Sequence, residues 1–355
     1  MVYKFEPDYA VAPGESLREV LEALHMSQKE FAERAEITVQ SVSRIIMGDQ
    51  PITYDTAIKL ELVTPYSSKF WMNLEADYRS QLLKIQKKEQ QRADLEWLKA
   101  VPLKELVERG YIEQSTDKTE MLMQVLKFYG VSSPAAWEKI WYNPKVAARK
   151  SRCFTAHPGA TSAWIRMGEL QAQEIKTQSY SREVFNKTLK TIRSMTIKNP
   201  STYTKMIVEE SAKAGVAVSF VPKMNKVPLN GAAKWLAPEK ALIVVNIRGK
   251  REDIFWFSFF HEAAHILLHK KKELYIDNGQ KENPEEIEAD QYASDFLIPE
   301  NYNEIILKAQ RQADILRIAQ ELNISSAIVA GRYQHLTKRW TAFNGLIGKL
   351  KWTEN

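Results

Sequence analysis

The sequence predicts an α+β fold, mainly helical with one small β-sheet, and three observations carry that expectation. Capped segments with helical spacing fill residues 16 to 62, and a long polar helical stretch follows them. Two β-branched apolar runs, "GVAVSFVP" and "KALIVVNI", appear only after Lys213. Helical patterning returns from Asp253, where three of the chain's 6 histidines stand within nine residues.

At 355 residues the chain is long enough for two or three domains of about 150 residues each. The pattern divides it into an N-terminal helical bundle at 1–80, a helical connector at 81–155 and a mixed domain at 156–355 that ends in helices. Hydrophobic residues make up 44% of the chain, enough for substantial cores. The net charge of +6 permits nucleic-acid binding, and an acidic protein partner would suit it equally well. Cys153 is the one cysteine, so no intrachain disulfide can form; a lone thiol is most simply structural. "MVYKFEPDYAVAPGESL" lacks a basic start followed by an apolar core, and no run of about 18 uncharged apolar residues exists. The expectation is a soluble cytoplasmic protein with no membrane partner.

Each element has its own signal. "SLREVLEALHM" places Leu17, Val20, Leu21 and Leu24 at helical spacing. In "SQKEFAERAE", Ser27 and Glu30 are placed as a capping box. Thr38 can cap "TVQSVSRIIMGD" and Gly48 can end it; Thr53 or Asp55 can cap a fourth helix. Residues 67 to 100 read as one long helical region, polar on most faces from Gln81 to Lys99. Two short helices with a loop around Ser115 come next, then the basic connection "ARKSRCF". "TSAWIRMGELQAQEI" and "SREVFNKTLKTIRSM" are two amphipathic helices, and "GAAKWLAPEKALIVV" reads as two strands turning at Pro238 and Glu239. The region contains no internal repeat.

"FFHEAAHILLH" carries the chemistry. A helix from about Asp253 to Lys270 sets His261 and His265 one turn apart on one face, so both imidazoles can reach one ion. Zinc takes nitrogen ligands at about 2.0–2.1 Å and keeps one position for water in catalytic sites. Glu262 is placed to take that water's proton. The competing reading is an amphipathic helix that happens to carry histidines. The apolar flanks oppose it, because buried imidazoles without a partner are costly. A third ligand is needed. The position six residues after His265 is Lys271, which excludes a third histidine at metzincin spacing. "NPEEIEADQYASDFLIP" offers a carboxylate from a second helix started by Asn283 or Pro284, with Ile287, Tyr292, Phe296 and Leu297 as its apolar side. Glu288 is the preferred ligand, Glu285 one turn earlier the fallback, and Asp295 a further alternative. His269 continues the histidine stripe and reads as a neighbour of the site or a surface residue.

"SQKEFAERAEITVQSVSRIIMG" has the rhythm of a helix-turn-helix. Ala32 is small where two helices cross, and Ile37, Val42 and Ile45 have core spacing. Gln28, Thr38, Gln40, Ser43 and Arg44 then face outward. Gln and Arg suit base edges, and Thr and Ser suit phosphates.

The stretch from about Lys213 to Pro299 resembles the ImmA/IrrE family of zinc metallopeptidases, on "FFHEAAHILLH" and "EIEADQYASDFLIP". The resemblance implies His261 and His265 as zinc ligands, Glu262 as general base and Glu288 as third ligand. It also implies a peptidase that cleaves a repressor or another specific protein. Ala263 and Ala264 stand where a glycine often precedes the second histidine, a mild departure between two good helix formers. Residues 12 to 80 resemble the HigA-type antitoxin branch of the phage-repressor-like (XRE) helix-turn-helix proteins, on "PITYDTA" and "FWMNLEADY" as well as the motif itself. Glu36 departs from that pattern: it occupies the turn where glycine is usual, at a strain of about 1–2 kcal/mol if left-handed.

Together these readings predict a homodimeric DNA-binding regulator that recognises an inverted-repeat operator. They add a Zn2+-dependent endopeptidase domain acting on a specific protein partner. The alternative is an antitoxin or repressor that binds DNA and a toxin encoded nearby, its zinc structural or sensory and its proteolysis absent.

Overall fold

The computed structural model describes residues 9–141, 157–269, 271, 274–276 and 283–352. The connection "ARKSRCF", Cys153 and the boundary expected at 155 lie outside these residues. The chain forms two compact units, Met1–Glu96 and Trp97–Asn355.

The first unit opens with α1 (Pro13–Ala23), α2 (Gln28–Arg34), α3 (Val39–Ile46) and α4 (Tyr54–Val63). Their starts follow the expected caps. Ser27 accepts from the Glu30 N–H at 3.1 Å, Thr38 from Ser41 and Thr53 from Thr56. The Glu30 carboxylate, expected to complete a capping box, accepts from Arg34 instead. Leu17, Phe31, Val42, Leu60 and Trp71 are fully buried at the centre of the bundle. The backbone of Gly14 lies against Ile45 and Ile46, so α1 and α3 cross where a side chain could not fit. The long helix α5 (Ser68–Trp97) ties back through Glu75, whose buried carboxylate accepts from the Ile52 N–H and from Arg79.

The second unit begins with α6 (Leu103–Glu108), α7 (Lys118–Tyr129) and α8 (Pro134–Trp141). Three helices stand where two were expected. Gly130 closes α7 in the left-handed conformation, and Pro134 starts α8 afresh. Next come α9 (Pro158–Glu174), α10 (Arg182–Ser194) and α11 (Pro200–Lys213). Then follow β1 (Val216–Phe220), β2 (Gly231–Ala237) and β3 (Lys240–Val245), with the turn at Pro238 and Glu239 as expected. After α12 (Glu252–Leu268) come β4 (Tyr275–Ile276), α13 (Pro284–Leu297), α14 (Asn303–Leu307), α15 (Gln312–Leu322) and α16 (Ser326–Thr337).

The sheet runs in the order β1-β3-β2-β4, with β1 parallel to β3 and the other pairs antiparallel. Its middle strand explains the unbroken apolar run "KALIVV". Ala241, Ile243 and Val245 join the core around α12, while Val244 meets Gly168 of α9 on the opposite face. β2 pairs with β3 on one side and with β4 at Ala232 and Ala233 on the other. Among the described residues, the outer strand on that side is thus β4. Among the described residues no helix is long and apolar enough to cross a membrane.

Candidate metal centre and nucleic-acid interface

Helix α12 is apolar on most faces because it is buried on most faces: Trp256, Phe259, Phe260, Ala263 and Ala264 are fully enclosed, while Phe257 is exposed. Asp253 stands in its first turn, where negative charge suits the positive end of the helix dipole. Helix α13 packs along it through Glu286, Ala289, Ala293 and Leu297, spaced three and four residues apart. Two alanines in that stripe let the helices approach closely.

That stripe decides which carboxylate meets the histidines. His261 Nε2 lies 3.1 Å from His265 Nε2 and 3.2 Å from Glu286 Oε2, and His265 Nε2 lies 3.6 Å from Glu286 Oε1. A tetrahedral ion with arms of about 2.0–2.1 Å has ligand-to-ligand edges of about 3.3 Å. The two nitrogens and the Glu286 carboxylate, which faces His261 through one oxygen and His265 through the other, are thus spaced close to the edges of a zinc-sized tetrahedron. All three residues are buried and form a group capable of holding a metal.

Glu288 is not brought to this group. Two residues along a helix is a rotation of about 200°, so Glu288 points away from the stripe. Its carboxylate is 61% exposed and meets His269 Nε2 at 3.2 Å. Glu285 stands half-buried, and Asp295 accepts from Gln291 one turn away along α13. Ile287, expected on the apolar side, is exposed.

The surroundings orient both imidazoles. Asp290 Oδ1 lies 2.9 Å from His261 Nδ1, and Tyr275 of β4 stacks on His265 with ring centres 4.7 Å apart. Burial, the strongest single influence, pulls the His261 pKa down. The hydrogen-bonded carboxylates of Asp290 and Glu286, with the charges of Glu262 and Glu286, outweigh it and push His261 up to about 11. At Glu286 burial pushes up, but hydrogen bonds from His261 and His265 and their charges bring it down to about 2. Burial holds His265 below its usual value, against the pull of Glu286. Both shifts favour an attractive pair, the protonated His261 imidazole beside the ionised Glu286 carboxylate. Glu262 is buried on the same helix, its side chain flat against the backbone of Gly231 at the start of β2.

In the first unit, Glu36 has φ +50°, so the turn between α2 and α3 keeps the left-handed geometry without glycine. Lys59 Nζ donates to its carbonyl at 3.4 Å. Gln28, Thr38, Gln40 and Arg44 are exposed and Ser43 is half-buried. Val39 and Met47 are also exposed on α3 and were missed, because apolar residues read as core. Their phase beside Gln40 and Arg44 is the signal that could have found them.

Comparison with known proteins covers both regions. Residues 17–71 match the helix-turn-helix family and residues 218–333 match the IrrE N-terminal-like domain. YddM of Escherichia coli K12, described as an uncharacterized HTH-type transcriptional regulator, is 38% identical over 63 residues, 18% of this chain and 67% of that protein. The Pseudomonas aeruginosa antitoxin HigA, solved with the higBA promoter, is 29% identical over 23% of this chain and 90% of its own, with a TM-score of 0.22. An addiction-module antidote protein of the HigA family from Coxiella burnetii is 30% identical over 23% of this chain and 92% of its own, also at 0.22. The chain belongs to the helix-turn-helix family of transcriptional regulators and joins that head to an IrrE N-terminal-like domain of the peptidase class.

Proposed function

We propose that this protein binds operator DNA as a homodimer and cleaves a specific protein partner with a zinc-dependent endopeptidase centre. The observation that carries the reading is the buried group of His261, His265 and Glu286, with Glu262 on the same helix. Glu286 takes the place of Glu288 as third ligand, and zinc is the ion that the two nitrogens and one oxygen suit. Zinc held there supplies Lewis acidity, which brings water toward ionisation near neutral pH and polarises a carbonyl.

The chain's own residues do the rest. Glu262 accepts a proton from the attacking water and returns it to the leaving amine. Its contact with Gly231 holds the carboxylate in one place. Asp290 accepts from His261 Nδ1 and so leaves Nε2 free to ligate. The sequence pattern pointed to "GAAKWL" or "KALIVVNI" as the strand that receives an extended substrate. β3 is interior and β2 is covered at Ala232 and Ala233, so the partner approaches from the β4 side. In the head, Gln40 and Arg44 read bases, and Gln28, Thr38 and Ser43 bind the backbone.

The test compares purified wild type with Glu262→Gln. Both should hold about one zinc per chain and repress the same promoter, and only wild type should cut a protein encoded nearby. Equal cutting by both would assign the activity to a contaminant. Repression without cutting by either would leave a DNA-binding antitoxin or repressor with a structural zinc.

A further inference from the structure

The histidine stripe does not stop at the ligands. His265 Nδ1 lies 2.9 Å from His269 Nδ1, and His269 Nε2 lies 3.2 Å from Glu288 Oε2. The His269 side chain is only 4% exposed, although it sits where α12 ends and the chain turns extended. The C-terminal end of a buried helix is a costly place for an imidazole with no task.

We infer that His269 and Glu288 are positioning residues that fix the tautomer of His265 for metal binding. The inference rests on His261, His265 and Glu286 being the ligands. The proton directions then follow without freedom. His265 must offer the lone pair of Nε2 to the ion, so its proton sits on Nδ1. That N–H donates to His269 Nδ1, which must carry the lone pair. The His269 proton is therefore on Nε2, where it donates to the Glu288 carboxylate. Every atom in the chain His265–His269–Glu288 has a complementary partner. A carboxylate at its end makes each N–H a better donor and His265 a stronger ligand.

Glu288, expected as the third ligand, thus stands at the end of the relay instead. Glu286 and Glu288 point about 200° apart around α13, one to the ion and the other to the end of the relay. The two histidines are then served by separate acceptors, Asp290 for His261 and His269 for His265.

The experiment measures zinc affinity of the full-length protein by competition with a chromophoric chelator. His269→Leu should weaken zinc by about 10- to 100-fold. It should still bind one ion at saturation, with the Co2+ absorption spectrum of wild type. His269→Gln should recover most of the loss, since its amide oxygen can accept from His265 and its NH2 can donate to Glu288. Glu288→Ala, at an exposed position, should weaken zinc in the same direction by a smaller factor, even if the Leu variant proves unstable. Wild-type affinity in His269→Leu overturns the relay, as does a Gln variant no better than Leu. An altered Co2+ spectrum at saturation would make His269 a ligand and equally overturn it. His265→Ala and Glu286→Ala, run alongside, test the ligand set separately: if they bind zinc like wild type, the ligand reading has failed and the relay falls with it.

Discussion

Gly231 and Glu262 occupy adjoining space that admits no further atom. A Cβ built on Gly231 would lie 2.5 Å from both Cγ and Oε1 of Glu262. The first residue of β2 is thus a wall for the Glu262 carboxylate. Gly231→Ala must push that carboxylate aside or open the gap between β2 and α12. Overpacking of this kind destabilises by about 1–3 kcal/mol. A displaced base lowers cleavage by about a hundredfold, while zinc stoichiometry should hold because no ligand is touched. Thermal melting and partner cleavage read the two effects. An alanine variant that melts and cleaves like wild type would remove Gly231 from the site.

Zinc content separates the three glutamates of the site. Glu286→Ala removes a buried oxygen from the ligand tetrahedron and should abolish stoichiometric zinc. Glu262→Gln should leave it intact. Glu288→Ala should bind a full equivalent with reduced affinity. Metal analysis after dialysis, with the chelator competition above, distinguishes all three. Loss of zinc in Glu288→Ala with retention in Glu286→Ala would make Glu288 the ligand and reverse the phase of α13.

The buried face of α13 was only partly legible, for a physical reason. The apolar residues Ile287, Tyr292, Phe296 and Leu297 suggest one face, whereas the buried stripe is Glu286, Ala289, Ala293 and Leu297, with Tyr292 and Phe296 partly buried and Ile287 exposed. Small residues mark the face because α12 lies close, and side-chain size alone hides that. By contrast, the His261 helix, the strands around Pro238 and the caps Ser27, Thr38 and Thr53 were legible from local chemistry. Strand order was not legible, since pairings such as Val216 with Ala241 and Ala232 with Ile276 join residues far apart in the chain and leave no local mark. Nor was the relay through His269, which needs two helices in place before its partners meet.

Glu36 holds φ +50° without being glycine. Glu36→Gly should relieve steric strain of about 1–2 kcal/mol, offset in part by the greater freedom of glycine in the unfolded chain. The net expectation is a gain of a few tenths to about 1 kcal/mol in stability of the first unit, with operator affinity unchanged. Denaturation followed by a probe in that unit checks it. A less stable glycine variant would show that the glutamate side chain contributes more than the backbone costs.

Glu252, at the start of α12, has its carboxyl pKa raised, chiefly by burial, with the charge of Asp253 adding to the effect and Ser325 opposing it. A group raised in the folded state gives stability that is full below its unfolded pKa and is lost as pH rises through the folded one. Glu252→Gln carries no charge at any pH. Its stability relative to wild type should therefore rise between acid and neutral pH. Melting temperatures near pH 4 and pH 7 measure this. A difference that stays constant or shrinks toward neutrality would place the charged form of Glu252 in a favourable setting.

Arg44 stands exposed on α3 beside Gln40, with Val39 and Met47 on the same outward side. A guanidinium there can bond a guanine edge through two N–H groups, and an exposed valine can meet a thymine methyl. Arg44→Ala in the full-length protein should cost about 1–3 kcal/mol at one base position and relax preference there alone. Val39→Ser should lower affinity only for sites with thymine at the neighbouring position. Thr38→Ala would mix two effects, since Thr38 also caps α3, so Gln28→Ala is the cleaner test of a backbone contact. It should weaken all sequences alike. Binding to an inverted repeat, titrated at several salt concentrations, should fall steeply as salt rises, because phosphate contacts release counterions. Loss of preference confined to one base pair per half-site in Arg44→Ala would place that side chain in the major groove. A uniform loss at every position would move Arg44 to the phosphates and leave Gln40 to read the sequence.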